Sequence, residues 1–383
     1  MSNSSGISWE VDQRFMAAAV RLGDKNKGRT GSNPSVGCII VNTEHPFPVV
    51  AGRGVTAPGG RPHAEVLALA EAGPDARGAT AYVTLEPCSH TGKTGPCAEA
   101  LIEAGISRVV VAIKDPDIRV SGQGIAQLEN AGILVETGIG IKHSQLSMAG
   151  YLKRTQYGRP WLTLKLAISQ DGYIGRSGAG NTPITGENVR HIVHALRSHQ
   201  DVIMIGAGTA LLDDPMLDVR LPGLEKYSPA RTVLDGSGGL SKYSRLAQSS
   251  ATIQTSVIVR ESNCQRAIDQ LRSTDIDVTS CKINTTGQLD LHSVLASFAA
   301  DGINNVLCEG GARISEALLR LDLVDELVIF RSSNNIGKGG LAAMPDEIAE
   351  YWKKQVRFSL ENVEQFGADT MFVYLRNQLC LPE

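Results

Sequence analysis

Four residues in the first quarter of the chain have the types and the order that a catalytic zinc site requires. His63 and Glu65 stand in Pro-His-Ala-Glu, and Cys88 and Cys97 each follow a proline. One neutral imidazole and two thiolates balance the charge of Zn²⁺ and leave a fourth tetrahedral position for water. Zinc lowers the pKa of that water, and a neighbouring carboxylate can take the released proton. We therefore predict that His63, Cys88 and Cys97 bind zinc and that Glu65 is catalytic.

The prolines beside these residues predict that helix starts carry the ligands. Pro62 precedes His63, and Pro87 and Pro96 precede the two cysteines. Proline is tolerated in the first turn of a helix because its missing N–H would be unpaired there. A thiol at a helix N-terminus has a lowered pKa, which favours the thiolate. Glu65 should leave its helix in another direction from His63 and lie beside the bound water.

The order His-x-Glu, then Pro-Cys-x-x-Cys, is the signature of zinc-dependent nucleobase deaminases. This chain departs from it, since eight residues, 89–96, separate its two cysteines. A structural zinc site and a chance match are the alternatives. The strand and loop patterns around His63 and Cys88 favour the deaminase.

Strand and helix patterns alternate through the first 140 residues. The predicted helices are 15–22, 63–72, 97–104 and 124–131, and the predicted strands are 36–41, 49–55, 79–85, 108–113 and 133–135. This alternation predicts an α/β sandwich with helices packed on a central sheet. A linker helix over 142–154 then meets Tyr157-Gly-Arg-Pro160, whose Gly/Pro punctuation indicates a boundary. We predict two domains, 1–155 and 156–383.

The α/β alternation restarts beyond that boundary. The predicted strands are 161–168, 202–205, 231–234, 256–259, 276–279, 305–308, 326–330 and 371–375, and the predicted helices are 187–197, 263–272, 289–299 and 314–321. Gly206-x-Gly208 lacks the third glycine of a Rossmann fingerprint. Glu309-Gly310-Gly311 is the better phosphate cradle, because a helix from about Ala312 would follow it. A simple tight turn is the alternative there.

Composition limits the classes of function. The 383 residues are 42% hydrophobic and carry a net charge of −3. No block of Lys and Arg suggests a nucleic-acid partner. The longest apolar runs, such as 109–113, are too short to cross a bilayer, and the polar N-terminus does not resemble a signal peptide. A cytoplasmic location is therefore expected, with seven cysteines as thiols and Cys38 and Cys308 in the core.

Several motifs together resemble a known family along nearly the whole chain. They are Gly31-Ser-Asn-Pro-Ser-Val-Gly37, Pro62-His-Ala-Glu65, Thr84-Leu-Glu-Pro-Cys-Ser-His90, the long loop between the cysteines, Leu164 to Gly172, Gly208 to Pro215, Arg220, and Glu309-Gly-Gly311. In this combination and order the chain resembles the bifunctional deaminase–reductases of riboflavin biosynthesis. His-Ala-Glu and Pro-Cys alone would indicate only the broad deaminase superfamily.

This resemblance implies two consecutive reactions. A cytidine-deaminase-like α/β/α domain would deaminate 2,5-diamino-6-ribosylamino-4(3H)-pyrimidinone 5′-phosphate with one Zn²⁺ per chain. A dihydrofolate-reductase-like α/β domain would then use NADPH to reduce the ribosyl side chain to ribityl. The partners would be small pyrimidine ribotides, with no nucleic acid and no membrane. The resemblance also implies homo-oligomers that assemble through the reductase domain.

The resemblance also implies binding residues in the second domain. NADPH would contact Ala167, Pro183, Thr209, Asp213, Gly236, Gly311, Ala312, Arg313, Ile314, Ser315, Glu316 and Ala317. The substrate would contact Asn181, Arg197, Leu217, Arg220 and Glu309. A guanidinium grips phosphate bidentately, which suits the two arginines.

Further residues are candidates with narrower roles. Lys165 and Asp213 are suited to polarise the reacting ribose, and His90 and Lys93 to contact the pyrimidine ribotide. Two features depart from the family's pattern. Gly236 stands where serine is expected, and 332–337 is more polar than expected.

Two other classes of function are open on the residues alone. A deaminase of tRNA or free nucleosides with an accessory C-terminal module would show a basic face near the zinc and would not bind NADPH. A zinc-stabilised binding or regulatory protein would tolerate replacement of Glu65. The deaminase–reductase is the favoured interpretation.

Overall fold

The structure is a computed structural model that describes residues 8–43, 47–89, 95–117, 121–176, 182–343 and 357–377. The chain folds into two compact units, with the division between Gly158 and Arg159. No helix of the described residues is both long and apolar enough to cross a membrane.

The first unit is a five-stranded sheet with helices. Its helices are α1 (Trp9–Asp24), α2 (Ala64–Ala72), α3 (Cys97–Glu103), α4 (Gln123–Asn130), α5 (Ile141–Ser147) and α6 (Ala149–Tyr157). Its strands are β1 (Gly37–Asn42), β2 (Val49–Val55), β3 (Thr80–Leu85), β4 (Arg108–Ile113) and β5 (Leu134–Thr137), in the order β2-β1-β3-β4-β5. Strand β1 is antiparallel to both neighbours, and β3, β4 and β5 are parallel.

Burial explains why the three central strands are apolar runs. Every residue of β1, β3 and β4 is buried, which is typical of a sheet covered on both faces. One polar cluster crosses this core. Arg108 on β4 donates to both carboxylate oxygens of Asp12 on α1 and to Glu136 on β5, and the Tyr82 hydroxyl donates to Asp12. The buried charges are thus paired, as burial requires.

The second unit is built on a larger sheet. Its strands are β6 (Trp161–Ile168), β7 (Tyr173–Arg176), β8 (Val202–Gly206), β9 (Ala230–Leu234), β10 (Thr255–Arg260), β11 (Ile276–Cys281), β12 (Asn305–Cys308), β13 (Glu326–Arg331), β14 (Gly340–Ala342), β15 (Phe358–Phe366) and β16 (Asp369–Arg376). Its helices are α7 (Glu187–Arg197), α8 (Ala207–Asp213), α9 (Arg245–Gln248), α10 (Cys264–Leu271), α11 (Leu291–Ala300) and α12 (Ala312–Arg320).

Nine of these strands form one sheet in the order β11-β10-β9-β8-β12-β6-β13-β16-β15, while β14 pairs with β7. The seven strands from β11 to β13 are parallel, and β16 and β15 are antiparallel additions. Successive side chains of β8 point to opposite faces of the sheet, so the core of this unit has one part on each face. Met204 belongs to an apolar cluster with Leu318 of α12, whereas Ile203 belongs to one with Leu246 of α9. Because the seven strands from β11 to β13 are parallel, their carboxyl ends meet at one edge of the sheet.

Most predicted elements are confirmed, but the linker helix was predicted wrongly and β7, β14, β15, α8 and α9 were missed. The linker helix 142–154 is two helices, because Met148 leaves the helical conformation (φ −106°, ψ 19°). Its side chain is buried and its sulfur accepts from Thr84 Oγ1 at 3.9 Å, so a core contact overrides helix propensity. Strand β15 was missed, since residues 359–365 are exposed and carry no apolar alternation.

The predictions for cysteine are confirmed where the structure describes them. Cys38 and Cys308 are fully buried. All six cysteines within the described ranges are free thiols.

Candidate active sites

The three predicted zinc ligands lie together in the first unit. His63 Nδ1 is 3.3 Å from Cys97 Sγ and 3.6 Å from Cys88 Sγ. One ligand atom from each residue lies within 4.8 Å of the others, and no other group of three or more His, Cys, Asp or Glu side chains in the described part of the chain is so arranged. Residues 25 and 34 positions apart are thus brought to one point by the sheet.

Two of the ligands stand at helix starts, as expected, and the third does not. His63 is the N-cap of α2, and Cys97 is the first residue of α3 after Pro96. Cys88 instead lies in an irregular segment after β3, so the prediction of a helix start there was wrong. Backbone hydrogen bonds hold this segment in place of a helix. The Ala98 N–H donates to the Cys88 carbonyl at 3.1 Å, and the Cys97 N–H to Cys88 Sγ at 3.4 Å.

A close helix–strand contact fixes the start of α2. A Cβ at Gly54 on β2 would lie 1.8 Å from the Ala64 carbonyl oxygen. Only glycine therefore allows α2 to lie this close to the sheet, and its first turn carries both His63 and Glu65. Glu65 is 4% exposed, and burial raises its pKa to about 7. A carboxyl group with that pKa can both accept and release a proton near neutral pH.

The donor set fits zinc. An imidazole nitrogen and two sulfurs are ligands that zinc favours, and three protein ligands are typical of a catalytic site. Hydrogen bonding from Cys97 lowers the pKa of the Cys88 thiol to about 4, and the same contact raises the pKa of the Cys97 thiol, so the two sulfurs share one proton that a bound metal would displace. His90 and Lys93, which we predicted to contact the ribotide, lie outside the described residues.

The second candidate site lies at the carboxyl edge of the large sheet. Four adjacent parallel strands, β9, β8, β12 and β6, end there. Ala167 lies near the end of β6, Thr209 and Asp213 follow β8 in α8, Gly236 follows β9, and Gly311 follows β12. Ligands in open α/β sheets bind at such an edge. The topology thus groups residues that are spread over about 150 positions of the sequence.

A buried ion pair stands at this edge. Arg197, at the end of α7, donates through Nε and Nη2 to the two carboxylate oxygens of Glu309, at 2.5 and 2.9 Å. The guanidinium fork that we predicted for a phosphate thus contacts a carboxylate, and a substrate contact of Arg197 stays a prediction. Arg220 remains exposed, with Nε 3.2 Å from Asp218. The nearby Arg197 guanidinium lowers the pKa of Glu309 despite its burial.

Lys165 on β6 faces the same ion pair. Burial lowers the pKa of its amine, and the Arg197 guanidinium lowers it further, whereas the Glu309 carboxylate opposes both. A partly desolvated amine releases its proton more readily than an exposed lysine does. Asp213 is half-buried, and burial raises the pKa of its carboxyl group. Both residues thus have the properties of proton-handling groups.

The predicted phosphate cradle has the backbone that such a site needs. Gly310 and Gly311 have φ of 81° and 93°, which favour glycine, and α12 begins at Ala312 without a side-chain cap. The first N–H groups of α12 are therefore available to an anion. A Cβ at Gly311 would lie 2.8 Å from Thr209 Oγ1, so the cradle packs against α8. Ile314 and Ser315 are buried, and the Ser315 N–H already donates to the Gly311 carbonyl, so neither residue offers its side chain to a cofactor.

The remaining predicted contacts differ in burial. Leu217 is 3% exposed and has φ of +53°, a strained value for leucine. Pro183 and Arg313 are exposed, and Glu316 pairs with Arg320 one helical turn away. Asn181 lies outside the described residues.

Sequence reasoning missed one residue of this site. His194 lies one turn before Arg197 on α7, and its Nδ1 is 3.0 Å from the Asp218 carbonyl oxygen. The Arg197 Nη1 donates to the same carbonyl at 2.8 Å. Together they hold the backbone that follows Leu217. The spacing of three residues on one helix was the available signal.

Comparison with known proteins finds two family models in sequence order. The cytidine and deoxycytidylate deaminase zinc-binding region matches residues 9–113. The RibD C-terminal domain matches residues 160–372. The first unit therefore has a cytidine-deaminase-like fold and the second that of the reductase family.

Curated relatives match both parts together. The riboflavin biosynthesis protein RibD of Escherichia coli (strain K12) is 34% identical over 372 residues, which are 94% of this chain and 97% of the relative. That of Chlamydia pneumoniae is 38% identical over 325 residues, which are 84% of this chain and 85% of the relative.

Solved structures agree with these matches. RibD of Acinetobacter baumannii superposes with a TM-score of 0.85 at 33% identity, covering 97% of this chain and 100% of that one. A diaminohydroxyphosphoribosylaminopyrimidine deaminase/5-amino-6-(5-phosphoribosylamino)uracil reductase of Thermotoga maritima superposes with a TM-score of 0.82 at 29% identity, covering 96% and 99% of the two chains.

Proposed function

Because the chain belongs to the RibD family of riboflavin biosynthesis proteins, we propose which residues carry its two activities and on what substrates. It is a bifunctional enzyme with a zinc-dependent deaminase domain and an NADPH-dependent reductase domain. The proposed substrate of the first is 2,5-diamino-6-ribosylamino-4(3H)-pyrimidinone 5′-phosphate. The second would reduce the deaminated product, 5-amino-6-(5-phosphoribosylamino)uracil, to its ribitylamino form. The Thermotoga maritima relative carries both activities in its name.

In the deaminase, His63, Cys88 and Cys97 would hold the zinc, and the convergence of these three side chains beside Glu65 carries the proposal. Bound zinc supplies a Lewis acid that makes water nucleophilic near neutral pH. Glu65 takes a proton as the water oxygen bonds to the ring carbon that bears the amine. It delivers that proton to the ring nitrogen and then moves the second proton of the former water to the amine, which leaves as ammonia when the C–N bond breaks and the C=O bond forms.

In the reductase, NADPH supplies the hydride for the ribose carbon. The N–H groups at the start of α12 would bind its diphosphate, next to Gly311 and Thr209. Lys165 is the proposed donor of the proton that follows the hydride, since burial lowers the pKa of its amine. Asp213 is the alternative donor. The substrate site is proposed to be formed by Leu217, Arg220 and Glu309. Arg197 would act on this site through Glu309.

The experiment that tests this assignment follows the two products separately. The purified chain receives the diaminopyrimidine ribotide with and without NADPH, ammonia is measured colorimetrically, and NADPH is measured by absorbance. Ammonia should appear in both samples, and NADPH should be consumed only after deamination. NADPH consumption without ammonia release would contradict the proposed order of reactions.

The domain limits and the assembly are also proposals. We propose 1–155 and 156–383 as the two domains. Helix α6 ends at Tyr157, so the structure favours a boundary a few residues later. Separate expression of the two segments tests these limits by their individual activities. Assembly into homo-oligomers through the reductase domain rests on the family resemblance, and light scattering of the whole chain and of 156–383 tests it. A cytoplasmic location is testable by cell fractionation.

A further inference from the structure

The carboxylate of Glu86 has an unusual set of partners. Glu86 follows β3, two residues before Cys88, and is 3% exposed. One carboxylate oxygen accepts from the Asp115 and Gly122 N–H groups at 3.2 and 2.9 Å, and the other from the Gly124 and Ile125 N–H groups at 3.0 and 3.3 Å. No cation among the described residues forms an ion pair with it.

Three of these donors belong to the start of α4. The first N–H groups of a helix have no partner within the helix, and the helix dipole places partial positive charge there. The N-cap of α4 is Gly122, which has no side chain that could supply the missing acceptor. Glu86 supplies it instead, from a different part of the chain. The start of α4 is thus fastened to the backbone that leads into Cys88.

A second observation, independent of these hydrogen bonds, joins the same two segments. A Cβ at Gly124 would lie 1.9 Å from the Pro87 carbonyl oxygen and 3.4 Å from Glu86 Cγ. The φ angle of Gly124 is not positive, so space rather than conformation requires glycine there. The first turn of α4 therefore packs directly against the peptide group that joins Pro87 to Cys88.

Cys88 itself is held by the start of α3. The Ala98 N–H donates to the Cys88 carbonyl, and the Cys97 N–H donates to Cys88 Sγ. Cys88 is the one proposed ligand that has no helix start of its own. Contacts from the start of α3 to Cys88 itself, and from the start of α4 to the preceding Glu86 and Pro87, fix it instead.

We propose that Glu86 and Gly124 form a clamp that positions Cys88 for zinc, with Glu86 as a positioning residue that acts through Pro87. This inference rests on the proposed zinc site. Zinc binding requires the two sulfurs and the imidazole nitrogen at fixed mutual distances. A shift of the backbone at Pro87 would carry Cys88 Sγ out of that arrangement. Substitutions that disturb the support of a ligand typically reduce metal affinity about 10- to 100-fold.

The test measures zinc release from the zinc-loaded full chain into an excess of chromogenic chelator. In Glu86→Gln the side-chain amide would face two of the four N–H donors, and those two hydrogen bonds would be lost. Gly124→Ala would push α4 away from Pro87. Each variant should release zinc about 10- to 100-fold faster than the unaltered enzyme. The reductase activity of both should be unchanged.

Asp12→Asn is the matched control, because Asp12 is also a fully buried, hydrogen-bonded carboxylate of the same unit. It should lower stability without accelerating zinc release in the folded protein. Cobalt-substituted protein gives a second readout, since a displaced Cys88 thiolate should change the charge-transfer absorption. Should Glu86→Gln fail to fold, Gly124→Ala decides the question by the same two measurements.

Two results would overturn the clamp. One is zinc release at the unaltered rate in both Glu86→Gln and Gly124→Ala. The other is release just as fast in Asp12→Asn at an equal loss of stability. Failure of the zinc site itself looks different, because then the unaltered chain would bind no zinc, or Cys88→Ser would bind it equally well.

Discussion

Arg197 and Glu309 form a two-pronged ion pair at the carboxyl edge of the large sheet, with hydrogen bonds of 2.5 and 2.9 Å. The side chains are 11% and 8% exposed, so the pair is nearly withdrawn from water. Lysine cannot reproduce such a planar fork. The pair therefore orients Glu309 at the place where the resemblance puts the ribotide.

Arg197→Lys should lower reductase kcat/KM by about 100-fold, because small misplacements of a substrate-positioning group cost that much. Deaminase activity should not change, and steady-state kinetics of the isolated reductase step provide the measurement. Arg53→Lys is the control, since Arg53 Nε and Nη2 both donate to Oε1 of Glu71 on the surface of the first unit. Unchanged reductase kinetics in Arg197→Lys would refute the positioning role.

Glu65→Gln should lose about 10²- to 10⁴-fold of deaminase activity, the contribution typical of a general acid–base. Zinc content should stay at that of the unaltered protein, and NADPH-dependent reduction should survive. Glu71→Gln, an exposed carboxylate of the same helix, is the control and should be nearly silent. Normal ammonia release by Glu65→Gln would exclude the proposed role.

Cys88→Ser should lose zinc, because a hydroxyl is a poor zinc ligand beside a thiolate and an imidazole. Elemental analysis of the purified protein measures the metal content. Cys38→Ser is the control, since Cys38 is fully buried in the same unit and is not among the three converging ligands. Full zinc occupancy in Cys88→Ser would contradict the ligand assignment.

Asp115 should make stability depend on pH. Burial raises its pKa to about 6, from about 3.8 in an unfolded chain. The folded protein therefore binds this proton more tightly, and the unfolding free energy falls as pH rises through that window. This difference between the folded and unfolded pKa corresponds to about 3 kcal/mol at most. Asp115→Asn cannot ionise, so its stability relative to the unaltered protein should be greater at pH 8 than at pH 5.

Denaturant unfolding of zinc-saturated protein at the two pH values measures that difference. Asparagine can still accept the Tyr151 hydroxyl hydrogen bond, which is 3.0 Å long. An identical pH dependence in both proteins would show that Asp115 is ionised in the folded state to the same extent as in the unfolded chain.

Arg231→Met should destabilise the second unit by about 3 kcal/mol or more, because it leaves several buried acceptors without a donor. The fully buried guanidinium donates to the carbonyls of Met216, Leu246 and Ile253. Burial lowers its pKa to about 10. Thermal unfolding measures the effect. Arg272→Met, at a side chain that is 80% exposed, should change stability by about 0.5 kcal/mol or less.

Local patterns were sufficient for most of the elements and for the zinc ligands. The fully buried strands β1, β3 and β4 stand in the sequence as mostly apolar runs between turn residues. The metal-binding chemistry of His63, Cys88 and Cys97 is a property of the residue types themselves, which no fold alters. Strand β15 carried no such pattern, because an exposed edge strand has no apolar face to bury.

The partners of the charged groups could not be predicted in the same way. Arg197 and Glu309 are 112 residues apart, and nothing local indicates that a carboxylate rather than a phosphate occupies the guanidinium fork. Similarly, the motif that contains Glu86 indicates a role only for its cysteine, Cys88. Its own role depends on the start of α4, 36 to 39 residues further along the chain.

The sequence by itself determined which chemistries are possible here: a zinc site with a neighbouring carboxylate, and a glycine-rich cradle before a helix. Those depend on side-chain type and on short-range spacing, which the chain carries in one dimension. Only the tertiary structure decided which groups meet, which charges are neutralised within the protein and how Cys88 is held without a helix of its own. Such pairings depend on strand order and helix packing, which bring together segments that are distant in the sequence.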